Sequence, residues 1–182
     1  MPLPKTPCYT EEDYYKLPEN VRAELIDGQI FYQAAPSRLH QKIVMTLSKS
    51  IANYIDAKGG SCEVYPAPFA VKLHKDRKNI VEPDISVICD KNKLTDEGCL
   101  GAPDWIIEII SPSTSSHDYI RKLNLYADAK VREYWIVDPE KQRVIVYFLE
   151  KDKFKMETYS FQDTVAVNIY EDFSIDFKSI EL

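Results

Sequence analysis

The chain has 182 residues, 45% of them apolar and 29% charged, with a net charge of -6, a balance that suits a globular protein with one real hydrophobic core. The acidic excess weighs against sequence-independent DNA binding, which lives on Lys and Arg, but it leaves room for a local basic patch or an acidic metal site. No apolar run is long enough to span a membrane and "MPLPKTPCYT" lacks the apolar centre of a signal peptide, so the expectation is a cytoplasmic protein with no membrane partner.

In chain order, Thr10 opens a short helix, its hydroxyl placed to cap the first turn and Glu11, Glu12 and Asp13 favoured by the helix dipole. "RAELIDGQIFYQ" reads as a hairpin, because Asp27-Gly28 between apolar-rich arms supplies the positive φ that a tight turn needs. Ser37 caps a long helix whose apolar stripe runs Leu39, Ile43, Val44, Leu47, Ile51 and Ile55, and Gly59-Gly60 ends it. Strands are expected around Val64 to Leu73, Asp84 to Cys89 and Trp105 to Ile110, then a helix over Ser116 to Ala129. "REYWIVDP" reads as a strand, "RVIVYFLEKDKFKMETYSF" as a hairpin with a charged turn, and the tail from Thr164 as short strands or irregular chain. With no repeat, low-complexity tract or linker, residues 1–182 read as a single mixed α/β domain, a central mixed sheet with a helix on each side. The order is not regular βα alternation, which disfavours a doubly wound fold. Cys8, Cys62, Cys89 and Cys99 are scattered, without a CxxC pair or a zinc-ligand spacing, and are expected to be free thiols.

Two apolar strands each carry an acid. Glu108 interrupts "WIIEII", a run buried on both faces, where an unpaired carboxylate costs several kcal/mol. Asp84 opens the run Ile85 to Cys89 behind Pro83. If these strands pair, both carboxylates converge on one divalent cation, since Mg²⁺ is usually held by one or two carboxylates with water and phosphate oxygens completing the octahedron. The alternative is that Asp84 caps a strand end and Glu108 pairs with an arginine.

"PD" followed by an acid on the next strand is the skeleton of the PD-(D/E)XK nuclease superfamily. The longer strings "AELIDGQI", "PSRLHQKIVMTL", "VEPDISVI" and "GAPDWIIEIISPSTSSHDYIRKLNLYADAKVREYWIVDP" resemble one branch of it, the Uma-two family of restriction-endonuclease-like proteins. The resemblance implies a restriction-endonuclease-like core, Mg²⁺- or Mn²⁺-dependent hydrolysis of DNA phosphodiesters, and a homodimer. It implies that Asp84 and Glu108 are metal carboxylates, that the carbonyl of Ile109 is a further ligand, and that Glu24 ligates a second metal directly or through water. Where the superfamily pattern has lysine, this chain has Ile110; the resemblance puts Lys122, on the following helix, in its place. His40 matches a family histidine that touches phosphate or positions water. The reading from another class is a non-catalytic nucleic-acid-binding or protein-interaction module that kept the fold.

Other candidates have plain alternatives. Lys122 read without the resemblance is a helix-surface lysine paired with Asp118 one turn earlier. Ser111, Ser113, Thr114, Ser115 and Ser116 form a hydroxyl-rich turn, a phosphate cradle or simply a helix cap. Lys72, His74, Lys75, Arg77 and Lys78 form a basic loop that tracks a nucleic-acid backbone or is a solvated turn. Tyr134, Trp135, Tyr147 and Phe148 read as core or dimer contacts. Lys130 stands where relatives have glycine after the helix.

Overall fold

Local signals shape the first third of the chain. The structure, a computed structural model, describes residues 8–74, 77–110, 116–150 and 154–180, with the side chains of residues 116–118 excepted. Helix α1 (Glu11–Tyr14) starts at Thr10. Thr10 is the N-cap and forms a capping box with Asp13, whose carboxylate reaches back and accepts both the Thr10 N–H at 2.9 Å and its hydroxyl at 3.0 Å. Strands β1 (Ala23–Ile26) and β2 (Gln29–Tyr32) form the hairpin, with φ of 50° at Asp27 and 73° at Gly28. Helix α2 (Arg38–Lys58) starts where Ser37 Oγ accepts the His40 N–H and ends on Gly59 in the left-handed region.

The middle of the chain is more divided than its sequence suggests. The strand expected over Val64 to Leu73 is two pieces, β3 (Glu63–Pro66) and β4 (Val71–Lys72), which belong to different sheets. Then follow β5 (Ile80–Val81), β6 (Ile85–Ile88), β7 (Leu94–Thr95), β8 (Gly98–Leu100) and β9 (Trp105–Ile109). Helix α3 (Ser116–Asp128) leads to β10 (Glu133–Asp138), β11 (Arg143–Phe148), β12 (Lys155–Ser160), β13 (Thr164–Ala166) and β14 (Ser174–Asp176). Lys130, at the turn after α3, has φ of 69°, the conformation for which glycine is favoured.

Among the described residues there are two six-stranded sheets, not one: β2-β1-β5-β4-β8-β7 and β12-β11-β10-β9-β6-β3, plus a β13-β14 pair. In the second sheet β9 and β10 run parallel and are joined through α3, while β6 and β9 are antiparallel. One face carries Ile85, Val87, Trp105, Ile107, Trp135 and Val137 against the α2 stripe and the tail. The other carries Ile88, Ile106, Tyr134 and Ile136 against Leu125 and Tyr126 of α3 and residues of the first sheet. The expected helix on each side is therefore present, and both faces of β9 are buried as its apolar run requires. Tyr134 and Trp135 are fully buried core residues.

The cysteine expectation is corrected. Cys62 and Cys89 are joined in a disulfide, leaving Cys8 and Cys99 as thiols among the described residues. The cause is register: Glu63 faces Ile88 across antiparallel β3 and β6, so the next residue outward on each strand, 62 and 89, also meet. No helix of the described residues is long and apolar enough to cross a membrane.

Candidate active site

Strand register brings the two acids together. Ile85 faces Ile107 across β6 and β9; carried one residue further, Asp84 faces Glu108. Asp84 lies where the chain leaves β5 of the first sheet for β6 of the second, just behind Pro83. Its Oδ2 accepts the Ile109 N–H at 2.8 Å and lies 3.0 Å from His40 Nε2. His40 reaches it from the first turn of α2, which the Ser37 cap holds in place. Burial pulls the His40 pKa down, but its bond to Asp84 and the nearby charge of Glu108 outweigh this and leave it raised.

Lys122 answers what makes Glu108 tolerable. Its ammonium reaches from α3 to Glu108 Oε1 at 2.8 Å and to Glu24 Oε1 at 3.0 Å. The same Glu108 oxygen accepts the Tyr126 hydroxyl at 2.7 Å, and the Glu24 oxygen also accepts the Glu82 N–H at 3.0 Å. Lys122 is thus a buried charge partner, with 13% of its side chain exposed, and not a helix-surface lysine. Burial raises the Glu108 carboxyl, Lys122 lowers it, and Asp84 and Glu24 raise it again, leaving it at about 7. Burial alone would lower the Lys122 ammonium; Glu108 and Glu24 reverse that and hold it above the ordinary lysine value.

These groups line a cleft of about 580 Å³ with Arg22, Phe31, Tyr32, Ile110, Arg121 and Tyr134. Ile110 stands at this cleft, as the shared strand face with Glu108 implies. The donor set suits a hard cation: carboxylate oxygens, two of them on facing positions of adjacent strands, one with a pKa raised partly by the other. No group of three His, Cys, Asp or Glu side chains comes together as a metal cage among the described residues. Lys122 stands between Glu24 and Glu108, and His40 and the Ile109 N–H take one oxygen of Asp84. The fit is to a site of two facing carboxylates, Asp84 and Glu108, with Glu24 one lysine away.

Some candidates fall elsewhere. Two residues of the basic loop are engaged by α1: Lys72 pairs with Glu11, and Arg77 with Glu12 at 2.6 Å. Residues 75, 111 to 115 and the side chains of Ser116 and Asp118 lie outside the described residues, and with them the hydroxyl-rich turn and the Asp118–Lys122 pair. The sequence reading missed Tyr126. Its signal was available, since a residue four positions after Lys122 lies on the same helix face.

Residues 11–178 match the family model described as "Uma2: Putative restriction endonuclease". An uncharacterised protein of Synechocystis sp. is 29% identical over 154 residues, spanning 83% of this chain and 78% of its own. The fold resembles the crystal structure of a "putative nuclease belonging to DUF820" from Anabaena variabilis, with a TM-score of 0.78 and 23% identity over 94% of this chain and 96% of that one. The Asp84, Glu108 and Lys122 strings lie within the matched span, and this chain belongs to the Uma2 family, restriction-endonuclease-like in description.

Proposed function

We propose that the cleft hydrolyses phosphodiester bonds of DNA with a divalent cation, Mg²⁺ or Mn²⁺, as cofactor. The observation that carries this reading is the Lys122 ammonium, delivered from α3 to the acid on β9 where the superfamily's in-strand lysine is replaced by Ile110. Asp84 and Glu108 would hold the cation with the carbonyl of Ile109, and Glu24 would add to it directly or through water. The cation supplies Lewis-acid polarisation of the phosphoryl group and a water of lowered pKa.

The chain's own groups do the remainder. Lys122 offers a fixed positive charge to the phosphorus oxygens as negative charge builds on them, and orients the attacking water. Glu24 and Glu108 fix where that charge sits, and the Tyr126 hydroxyl steadies the Glu108 oxygen. His40, oriented by Asp84, touches phosphate or water from the α2 side. A homodimer and a cytoplasmic setting complete the reading.

One observation favours a second reading, a non-catalytic nucleic-acid-binding or protein-interaction module: Lys122 satisfies Glu24 and Glu108 with no metal at all. Cleavage of plasmid and short labelled DNA in Mg²⁺ or Mn²⁺ separates the two. The nuclease reading expects cleavage by the wild type that vanishes in both Asp84→Asn and Glu108→Gln, each of which keeps side-chain size. Cleavage retained in both variants, with contaminating nuclease excluded, places the activity elsewhere; no cleavage by a folded, metal-supplied wild type supports the module.

A further inference from the structure

Among the described residues the cleft is lined by Arg22, His40, Arg121 and Lys122 as its basic groups. Arg22 is tied to Glu82 at 3.3 Å, His40 to Asp84, and Lys122 to both Glu24 and Glu108. Arg121 has no carboxylate partner among the described residues. Its guanidinium carbon lies 4.8 Å above the centre of the Phe31 ring. Phe31 is itself anchored, because it packs against the core and faces Glu24 in the β1–β2 register. Directly opposed residues on paired strands have β-carbons about 5 Å apart. The Phe31 platform therefore sets the guanidinium one side chain away from the carboxylate cluster, beside Lys122 on α3.

The chemistry of the cleft calls for such a group. Glu24 and Glu108 share one ammonium and Asp84 is met by His40, so an entering phosphodiester meets three carboxylates whose cationic partners are already engaged. A guanidinium held over an aromatic face by a cation–π contact can still turn its N–H fork to two phosphate oxygens. We propose that Arg121 grips a phosphate of the nucleic-acid strand in the cleft, and that Phe31 is the platform that fixes the plane of its guanidinium. The proposal rests on the nuclease reading and adds the residue that holds the strand.

Fluorescence anisotropy tests it, with a labelled 20-nucleotide DNA, single-stranded and duplex, in EDTA so that nothing is cut, across a KCl series. Losing one phosphate contact should weaken binding on the order of tenfold near about 50 mM KCl and flatten the slope of log affinity against log salt by about 0.7–0.9. Arg121→Ala should show both effects. Arg121→Lys and Phe31→Leu keep the charge, so they should keep the slope and lose only part of the affinity. Lys58→Ala, at the opposite end of α2 from His40 and paired with Asp172, should bind as wild type. A folded Arg121→Ala with wild-type affinity and slope overturns the proposal, and so does a wild type that binds neither DNA. Cleavage measured in parallel keeps the two readings apart. A wild type that cuts DNA while Arg121→Ala binds unchanged removes only the Arg121 assignment; Arg121-dependent binding without cleavage removes only the nuclease.

Discussion

Glu108, largely buried, and Glu133, fully buried, lie on neighbouring parallel strands, both with carboxyl pKa values raised by burial. Glu133 is fully buried at the start of β10 and is met, among the described residues, by neutral donors: the Trp135 indole at 2.7 Å, the Asn168 amide at 3.0 Å and the Ile169 N–H at 2.9 Å. It ties the chain after β13 to the sheet. Glu108 lies near the end of β9, is met by an ammonium and a phenol, faces Asp84, and opens on a cleft. A buried carboxylate is therefore not itself the mark of a site. Charged partners, a facing acid and access to a cleft distinguish the candidate site, and the carboxyl end of a strand entering a crossover helix is where such clefts form.

The largest contrast between the two glutamates is expected in which property each controls. Glu108→Gln should bring metal-dependent cleavage down to background with little loss of fold. Glu133→Ala strands three buried donors at about 1–3 kcal/mol each before relaxation, so it should lower stability by several kcal/mol while the folded fraction cuts DNA at the wild-type rate. Chemical denaturation and cleavage rates corrected for folded fraction read the two effects. A Glu133 variant that folds normally but fails to cleave would erase the distinction.

Next in size is the ammonium. Lys122→Ala should raise the barrier to cleavage by about 2–4 kcal/mol, the scale of losing one charge-stabilising donor. Adding Ile110→Lys should recover part of this, because position 110 lines the same cleft; recovery stays partial because a packed isoleucine gives way to a longer polar chain. Circular dichroism must show all variants folded in the presence of Mg²⁺. Wild-type cleavage by Lys122→Ala would reduce Lys122 to a structural counter-ion. A folded double variant no better than Lys122→Ala would deny that one position substitutes for the other.

A smaller effect separates the acids by pH. The Glu108 carboxyl is raised to about 7 in the fold, above the usual carboxylate range. Between roughly pH 4.5 and 7 the folded state then holds a proton that the unfolded chain has released, so metal-free stability from this group falls as pH rises through that window. Metal binds the deprotonated form, so the rise in Tm given by millimolar Mg²⁺ should be small at pH 6 and larger at pH 8. Glu108→Gln should flatten both trends. A Mg²⁺ response equal at the two pH values, or equal in the variant, would detach this carboxylate from metal binding.

Much of this was legible in the sequence because its signals were local. Asp27-Gly28, the Ser37 cap, Gly59 and the apolar run around Glu108 each specify a structure within a few residues. The acids Asp84 and Glu108 were legible as a pair because one opens an apolar strand and the other interrupts one. The first sheet was not, since β4, β5 and β7 are two residues long and show no alternation to read. The Cys62–Cys89 bond, the Arg121–Phe31 stack and the bond from Lys122 to Glu24 join residues far apart in sequence. Only the register of the strands and the docking of α3 create them.

The most direct measurement is anomalous diffraction from a crystal soaked in Mn²⁺ above pH 7. The expected result is a peak bonded to one oxygen each of Asp84 and Glu108, at the roughly 2.1 Å typical of a small hard dication, absent from Asp84→Ala crystals grown and soaked alike. A saturating soak that leaves no peak between these two carboxylates, with Lys122 still bonded to Glu108, would contradict a metal-dependent site and leave the cluster as a buried ion network.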